Sequence, residues 1–468
     1  MLTLDPQARR GLWQKLVERI EGYVEGIDNK PVSRPTTAAE IRRELAPFDF
    51  AVATPPEAAV DFVADLLERT QVHTSHRSYY GLFNPNPTTM GIAADALAAA
   101  FNPQLAAWSH SPAACEMEQH LVRAIGERFG YNPTALAGSF TSGGAEANHS
   151  ALLCALVAAF PEFSEHGVAA VEGHPVLYVT EESHHSFVKA ARLCGLGTAA
   201  VHRVAVDDAF VMDPAALVAA VEADRAAGAR PFLVVATMGT TNAGLIDPID
   251  AIAEVAAAEG LWLHADAAWG GAAALVPELR AHLGGIDRAD SITFDAHKWL
   301  SVPMGAGMFF TRHREAPRQA FSIATDYMPV LGGDLIDPHL TTMQWSRRFI
   351  GLKVFLSLAV AGWAGYERAI RQQTLQGDVL REQLADSGWL VVNRTPLPTV
   401  CWTDAKEADN SIERLGEICK QVVASGQAWI STTKLGGRTP VLRATITNYR
   451  TTEADIERLV AALNSTRT

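Results

Sequence analysis

The stretch SITFDAHKWLSVPMGAGMFFTR, residues 291–312, places Lys298 between two apolar runs. A lysine normally stays at the surface unless something pairs with it, although it also caps strands and extends along apolar surface. Four further motifs end β-like runs. In TSGGAEANHS, Thr141, Ser142, Gly143 and Gly144 precede a helix. Glycines there admit an anion close to the backbone, and the helix start stabilises it. No lysine follows at P-loop spacing, so this is not a nucleotide-binding loop of that type. TEESHHSFVKAA carries His184 and His185, and VVATMGTTNAG carries Thr237, Thr240 and Thr241. LWLHADAAWGGAA ends an apolar strand on Asp266, a carboxylate that needs a partner, followed by the small Ala267 and Ala268.

Singly, each motif has an ordinary explanation: a turn, surface imidazoles, or hydroxyls bonded to local backbone. Jointly they describe one ligand. A pyridinium ring bearing an aldehyde and a phosphate needs a carboxylate at its nitrogen, a lysine for an imine and a phosphate cup. It also needs a flat group on one face and a small residue on the other. The set resembles the group II pyridoxal-phosphate decarboxylases, the aromatic-amino-acid, glutamate, cysteine sulfinate and diaminobutyrate enzymes. SPAACEMEQHL, FTSGGAEAN, ESHHSFVKAA, ATMGTT, HADAAWGG, DAHKWL and WSRRFIGLK match family blocks in order, over roughly residues 60–465.

That resemblance implies roles. Lys298 forms the imine with pyridoxal 5'-phosphate, with His297 beside it. Asp266 pairs with the ring nitrogen, His185 stacks on the ring and Ala268 packs opposite. Ser142, Gly143, Gly144, Ala145 and Asp295 surround the phosphate, and Thr241 lies near the imine. The implied fold is that of aspartate aminotransferase (PLP fold type I), a homodimer with active sites at the interface and N-terminal helices wrapped over the partner subunit. The implied reaction is loss of CO2 from an L-amino acid whose carboxylate is held perpendicular to the ring. An aminotransferase is the alternative within the fold and needs an arginine for the substrate carboxylate, Arg443 being the formal candidate. An inactive dimer partner is a further alternative, against which the intact lysine, aspartate and histidine argue.

Two departures stand out. Relatives often carry a tyrosine on a mobile loop before the WSRRF block, but no tyrosine lies between Tyr327 and Tyr366. The segment MPVLGGDLIDPHLTTMQ has a lid's composition, with His339 the expected proton donor. In relatives, losing the tyrosine accompanies oxidative chemistry that gives an aldehyde. The substrate wall also differs: Gln104 and Ala106 stand where aromatic-acid enzymes favour larger apolar groups, with Phe83, Asn84 and Trp108 nearby. The expected substrate is an aromatic amino acid.

These residues need a scaffold. Thr37-x-x-Glu40 and Thr54-x-x-Glu57 have capping-box spacing, Pro55 suits a first helical position, and Val60, Val63, Leu66 and Leu67 recur at helical period. Beyond residue 115, β-rich runs at 176–180, 200–206, 231–237, 261–265, 290–294 and 306–311 alternate with helical stretches such as 214–226 and 248–259. Alternation of this kind predicts a mostly parallel sheet covered on both faces, with ligands beyond the strands' carboxyl ends. Strands near 389–393, 398–402 and 441–446 predict a smaller α+β unit. The expected organisation is an α/β protein: a helical segment 1–84, a large domain 85–350 and a small domain 351–468.

At 468 residues the chain exceeds one compact core. Its net charge of −13, without basic clusters, argues against nucleic acid or an anionic membrane as partner. No apolar run approaches the roughly 20 residues of a bilayer-spanning helix, and the first twenty residues lack a signal-peptide pattern. Five scattered cysteines show neither disulfide nor metal-ligand spacing. A cytoplasmic enzyme without a metal is the expectation.

Overall fold

The computed structural model describes residues 2–323, 335–406 and 410–467. Helices α1 (Pro6–Gly26), α2 (Ala38–Leu45) and α3 (Pro56–Thr70) come first. Thr37 and Glu40 form the expected reciprocal capping box of α2. The second box is not formed: α3 starts on Pro56 with Pro55 as its N-cap and no side-chain cap. Proline has no N–H to lose and fixes the helical φ, so the Pro-Pro pair replaces the threonine. Neither α1 nor α3 has a buried residue.

Helices α4 (Thr89–Phe101) and α5 (Pro112–Gly126) lead to β1 (Ala137–Thr141) and α6 (Gly144–Ala159). The remaining strands of the large sheet are β2 (His174–Thr180), β3 (Val201–Val204), β4 (Ala229–Thr237), β5 (Trp262–Asp266), β6 (Ser291–Asp295) and β7 (Gly307–Thr311). They are ordered β1-β7-β6-β5-β4-β2-β3. Pairings among β2 to β6 are parallel, and β7 is antiparallel to both of its neighbours. The parallel strands are near-continuous apolar runs because helices cover both faces. Register sets Thr237 beside Asp266 and Asp266 beside Thr293, so the strand ends form one rim.

Strands β8 (Trp389–Val391), β9 (Thr399–Asp404), β10 (Ser431–Leu435) and β11 (Thr439–Thr445) form an antiparallel sheet ordered β10-β11-β9-β8. The helix Gly351–Asp386 joins the two units and is broken at Gly362, whose φ of 62° lies in the left-handed region. Its Val354, Tyr366 and Ile370 pack into the large core, while Leu380 and Leu384 pack into the small one. Among the described residues no single helix is long and apolar enough to cross a membrane.

Candidate active site

Strand ends and helix starts converge on a cavity lined by Gly144, Ala145, Asn148, His184, Thr237, Gly239, Thr241, Asp266, Ala268, Trp269, Asp295 and Lys298. Lys298 reaches it because the chain turns at the end of β6: the Lys298 N–H donates to the Asp295 carbonyl at 3.0 Å. The turn folds the side chain back, so that Nζ lies 2.9 Å from Asp295 Oδ2. Ser301, three residues on, holds a φ of 55°, a conformation costly for a residue with a Cβ and one that marks constrained functional turns.

The start of α6 faces the same space. Its N-cap, Gly143, supplies no side-chain cap, so the first N–H groups remain available to an anion. A Cβ on Gly144 would stand 2.8 Å from Asp295 Oδ2 and 3.4 Å from the Ala268 methyl. Only glycine leaves that approach open. Gly307, opening β7, serves the same turn: a Cβ there would meet the Gly143 Cα at 2.6 Å. Ser142 is exposed and turned outward, its N–H and Oγ both donating to Glu146 Oε2 at 2.8 and 2.6 Å.

Asp266 is buried at 4% exposure and has no cation within ion-pair distance among the described residues. Its carboxylate is satisfied by N–H donors instead: Asn148 Nδ2 at 2.8 Å to Oδ2, and Ala268 N at 3.2 Å to Oδ1. His297 is buried, and its Nδ1 accepts from the Ala306 N–H at 3.1 Å. Burial holds this imidazole's pKa below the usual histidine range, with the Asp295 charge opposing. The residues present therefore fit pyridoxal phosphate: an uncapped helix start, a glycine cradle, a buried carboxylate and a lysine meet in one space.

At the paired histidines the structure differs from the expected placement. His184 lines the cavity and His185 does not; both are exposed, and His185 is the N-cap residue of the helix Ser186–Leu193. The two are adjacent in sequence, and nothing in the residue types separates them. Of the expected substrate wall, Phe83 lies near the cavity, stacked on Trp269 at 4.5 Å and 6.0 Å from Lys298 Nζ. Asn84 accepts from the Tyr79 hydroxyl at 3.3 Å. Gln104 and Trp108 are engaged elsewhere in this chain. Gln104 Oε1 accepts from the Arg347 backbone N–H at 3.1 Å, the Trp108 backbone N–H donates to Asp337 at 2.8 Å, and its indole N–H donates to Glu116 Oε1 at 2.9 Å.

His339 is not on the cavity wall and is not a solvated surface group. It is 3% exposed, its ring lies 4.8 Å from that of Trp345, and its Nδ1 donates to the Ala106 carbonyl at 3.0 Å. The Gly332-Gly333-Asp334 part of the expected lid lies outside the described residues, as does Tyr327. Arg443 is fully buried and makes no ion pair among the described residues. Its Nε donates to the Thr241 and Asn242 carbonyls at 3.0 and 3.1 Å, and its Nη1 to the Gly81 carbonyl at 2.8 Å. It ties the Thr241 loop to the small unit.

Three residues passed over in the sequence, Asn148, Gly239 and Trp269, line the cavity. Asn148 lies four residues after Gly144, one helical turn along the same face, and that spacing was the available signal.

Comparison with known proteins agrees with this geometry. Residues 45–404 match the pyridoxal-dependent decarboxylase conserved domain. The aromatic-L-amino-acid decarboxylase of Bacillus atrophaeus is 28% identical, with 99% of this chain and 96% of that protein aligned. The tyrosine decarboxylase of Oryza sativa subsp. japonica is 32% identical over 86% of this chain and 77% of that protein. The crystal structure of Oryza sativa TDC with PLP and tryptamine superposes with a TM-score of 0.93 at 26% identity, covering 100% of this chain and 99% of that one. This chain belongs to the pyridoxal-dependent decarboxylase family and is a pyridoxal 5'-phosphate-dependent amino-acid decarboxylase.

Proposed function

We propose that the chain converts an aromatic L-amino acid to its amine and CO2, with Lys298 as the cofactor-linking lysine. One observation carries the reading: Lys298, Asp266 and the uncapped start of α6 open into the same cavity. Bound pyridoxal phosphate supplies an electron sink for the electron pair left on Cα when CO2 departs.

The chain's own groups do the rest. Lys298 Nζ is the amine that would anchor the cofactor. Gly144 and Ala145 direct backbone N–H groups to the phosphate. Asp266 holds a proton on the ring nitrogen, which keeps the ring an acceptor of charge. His184 provides the flat wall expected of His185, and Ala268 leaves the ring room. Phe83 and Trp269 give an apolar surface close to Lys298, which favours a flat side chain. The relatives named for aromatic amino acids and tyrosine support the same preference.

The second reading, an aldehyde product, draws on the loop: it has no tyrosine, and His339 is tied to Ala106. A homodimer fits the N-terminal helices, which expose Trp13, Val17, Val24, Val63 and Leu67. Isolated apolar helix faces of this kind call for a covering surface. Incubating the holoenzyme with tyrosine, tryptophan and phenylalanine tests the proposal. Amine with equimolar CO2 from one of them supports it, and turnover confined to acidic amino acids overturns the aromatic assignment.

A further inference from the structure

A chain of hydrogen bonds runs from the Asp266 carboxylate into the core of the large domain. Asn148 Nδ2 donates to Asp266 Oδ2 at 2.8 Å and to Ser186 Oγ at 2.9 Å. Asn148 Oδ1 lies 3.1 Å from His264 Nε2, and His264 Nδ1 lies 2.8 Å from Ser291 Oγ. Ser291 Oγ in turn accepts from the Trp262 indole N–H at 2.8 Å. Asn148, His264 and Ser291 are all buried.

The proton positions follow from the two ends. A carboxylate only accepts and an indole N–H only donates. Asn148 must therefore turn its NH2 to Asp266 and its carbonyl to His264, whose Nε2 must carry the proton. His264 Nδ1 is then an acceptor, and the Ser291 hydroxyl, already accepting from Trp262, donates to it. Every dipole in the chain points the same way and ends on Asp266. Sequence geometry builds this: His264 and Asp266 are two apart on β5 and share a face, and α6 lays Asn148 across both.

We infer that Asn148 and His264 are positioning residues for the decarboxylation, holding the Asp266 carboxylate in one orientation toward the cofactor's ring nitrogen. Neither touches the reacting atoms. With Ala268 N on Oδ1 and Asn148 on Oδ2, the carboxylate cannot rotate without losing a buried bond, and among the described residues no cation lies within ion-pair distance of it. His264 acts one step further out, fixing which way the Asn148 amide faces.

The inference rests on the cofactor reading of the cavity, and the test separates the two. Holoenzyme of wild type, Asp266→Asn, Asn148→Ser, His264→Phe and His264→Gln is compared for cofactor content, visible absorbance spectrum, kcat and KM. Asn148→Ser and His264→Phe are expected to keep stoichiometric cofactor and near-normal KM. Their kcat should fall about 10- to 100-fold, as when an outer partner of a catalytic group is removed, and the absorbance of the bound cofactor should shift. His264→Gln keeps a donor where Nε2–H stood and should restore kcat to within about threefold of wild type. If His264→Phe yields no folded protein, Asn148→Ser and His264→Gln decide alone. Wild-type kcat and spectrum in Asn148→Ser overturn the inference, as does a His264→Gln enzyme as impaired as Asn148→Ser. Wild-type turnover in Asp266→Asn would instead overturn the cofactor reading itself.

Discussion

Lys298 Nζ and Asp295 Oδ2 form an ion pair at 2.9 Å, three residues apart in one turn, with the aspartate 1% exposed. The same Oδ2 is the atom a Gly144 Cβ would strike at 2.8 Å, so this carboxylate stands at the start of α6. It pairs with the lysine, and on the proposed reading its charge would lie close to the cofactor's phosphate at the start of α6. Two anions within a few ångströms repel even at a moderate effective dielectric.

Asp295→Asn is therefore expected to tighten cofactor binding, on the order of tenfold at low salt. Titrating apoenzyme with pyridoxal phosphate, followed by absorbance, measures it. A half-saturation point equal to or weaker than wild type would show that the aspartate aids loading, not opposes it.

Lys298→Ala removes the only lysine on the cavity wall among the described residues. Turnover should vanish, and gel filtration should strip the cofactor, because only the phosphate and ring contacts remain. Persistent turnover with retained colour would move the linking role to another amine.

Asp266→Asn should keep the fold, since its amide oxygen still accepts from Asn148 and only the longer Ala268 bond is given up, but it cannot hold a proton on the ring nitrogen. The expected cost is about 3 kcal/mol in the activation barrier, comparable to losing one preorganised electrostatic contact, or roughly a hundredfold in kcat. Thermal unfolding of the mutant alongside its kinetics separates a catalytic loss from a structural one.

Burial places two titratable groups on opposite slopes. The pKa of His264 is lowered to about 4 from 6.5, mainly by burial. In the unfolded chain it takes up a proton that the folded state refuses, so its contribution is full above pH 6.5 and is lost as pH falls toward 4. Asp247, its carboxylate accepting from the Met212 and Thr237 N–H groups at 2.8 and 2.7 Å, is raised by burial to about 6 from 3.8. Its folded form holds a proton the unfolded chain gives up, so stability gains as pH falls from 6 toward 3.8. Each effect is on the order of 3 kcal/mol, and the two nearly cancel. His264→Gln removes one of them. Its stability relative to wild type, measured by urea unfolding, should rise progressively between pH 6.5 and 4. A difference that stays flat with pH would mean that the folded protein accommodates His264 charged.

The rim of strand ends was legible because its chemistry is local. Asp266 and Lys298 each sit one residue type away from anything an apolar strand tolerates, and Gly143-Gly144 announces a close approach. The choice between His184 and His185 was not legible, because it depends on where the chain leaves β2 and enters the next helix. Strands β1 and β10 were also missed; AGSFT and STTKL are short and polar, and only pairing with β7 and β11 makes them strands. Gln104 and Trp108 were placed by spacing from a motif. Spacing alone gives no hint that Arg347 and Asp337 engage them.

The identity of the proton donor to Cα decides the product, and the surroundings of His339 set the expected outcome of its removal. His339 donates through Nδ1 to the Ala106 carbonyl, so in its neutral form Nε2 is bare; that nitrogen is buried and has no partner among the described residues. Its one N–H is thus committed to a backbone carbonyl, and the ring is not among the groups lining the cavity. Removing the ring loses one hydrogen bond and the packing on Trp345. His339→Ala should therefore lower stability by about 1–3 kcal/mol and leave the ratio of products unchanged. A panel of the twenty L-amino acids, with mass spectrometry for amine, aldehyde and 2-oxo acid, reads that ratio. Amine in excess in both proteins assigns the donor to another group or to water. Aldehyde and peroxide in excess in both support the oxidative course, and a 2-oxo acid formed without CO2 points to transamination. Amine in wild type giving way to aldehyde in His339→Ala would return the donor's role to this histidine.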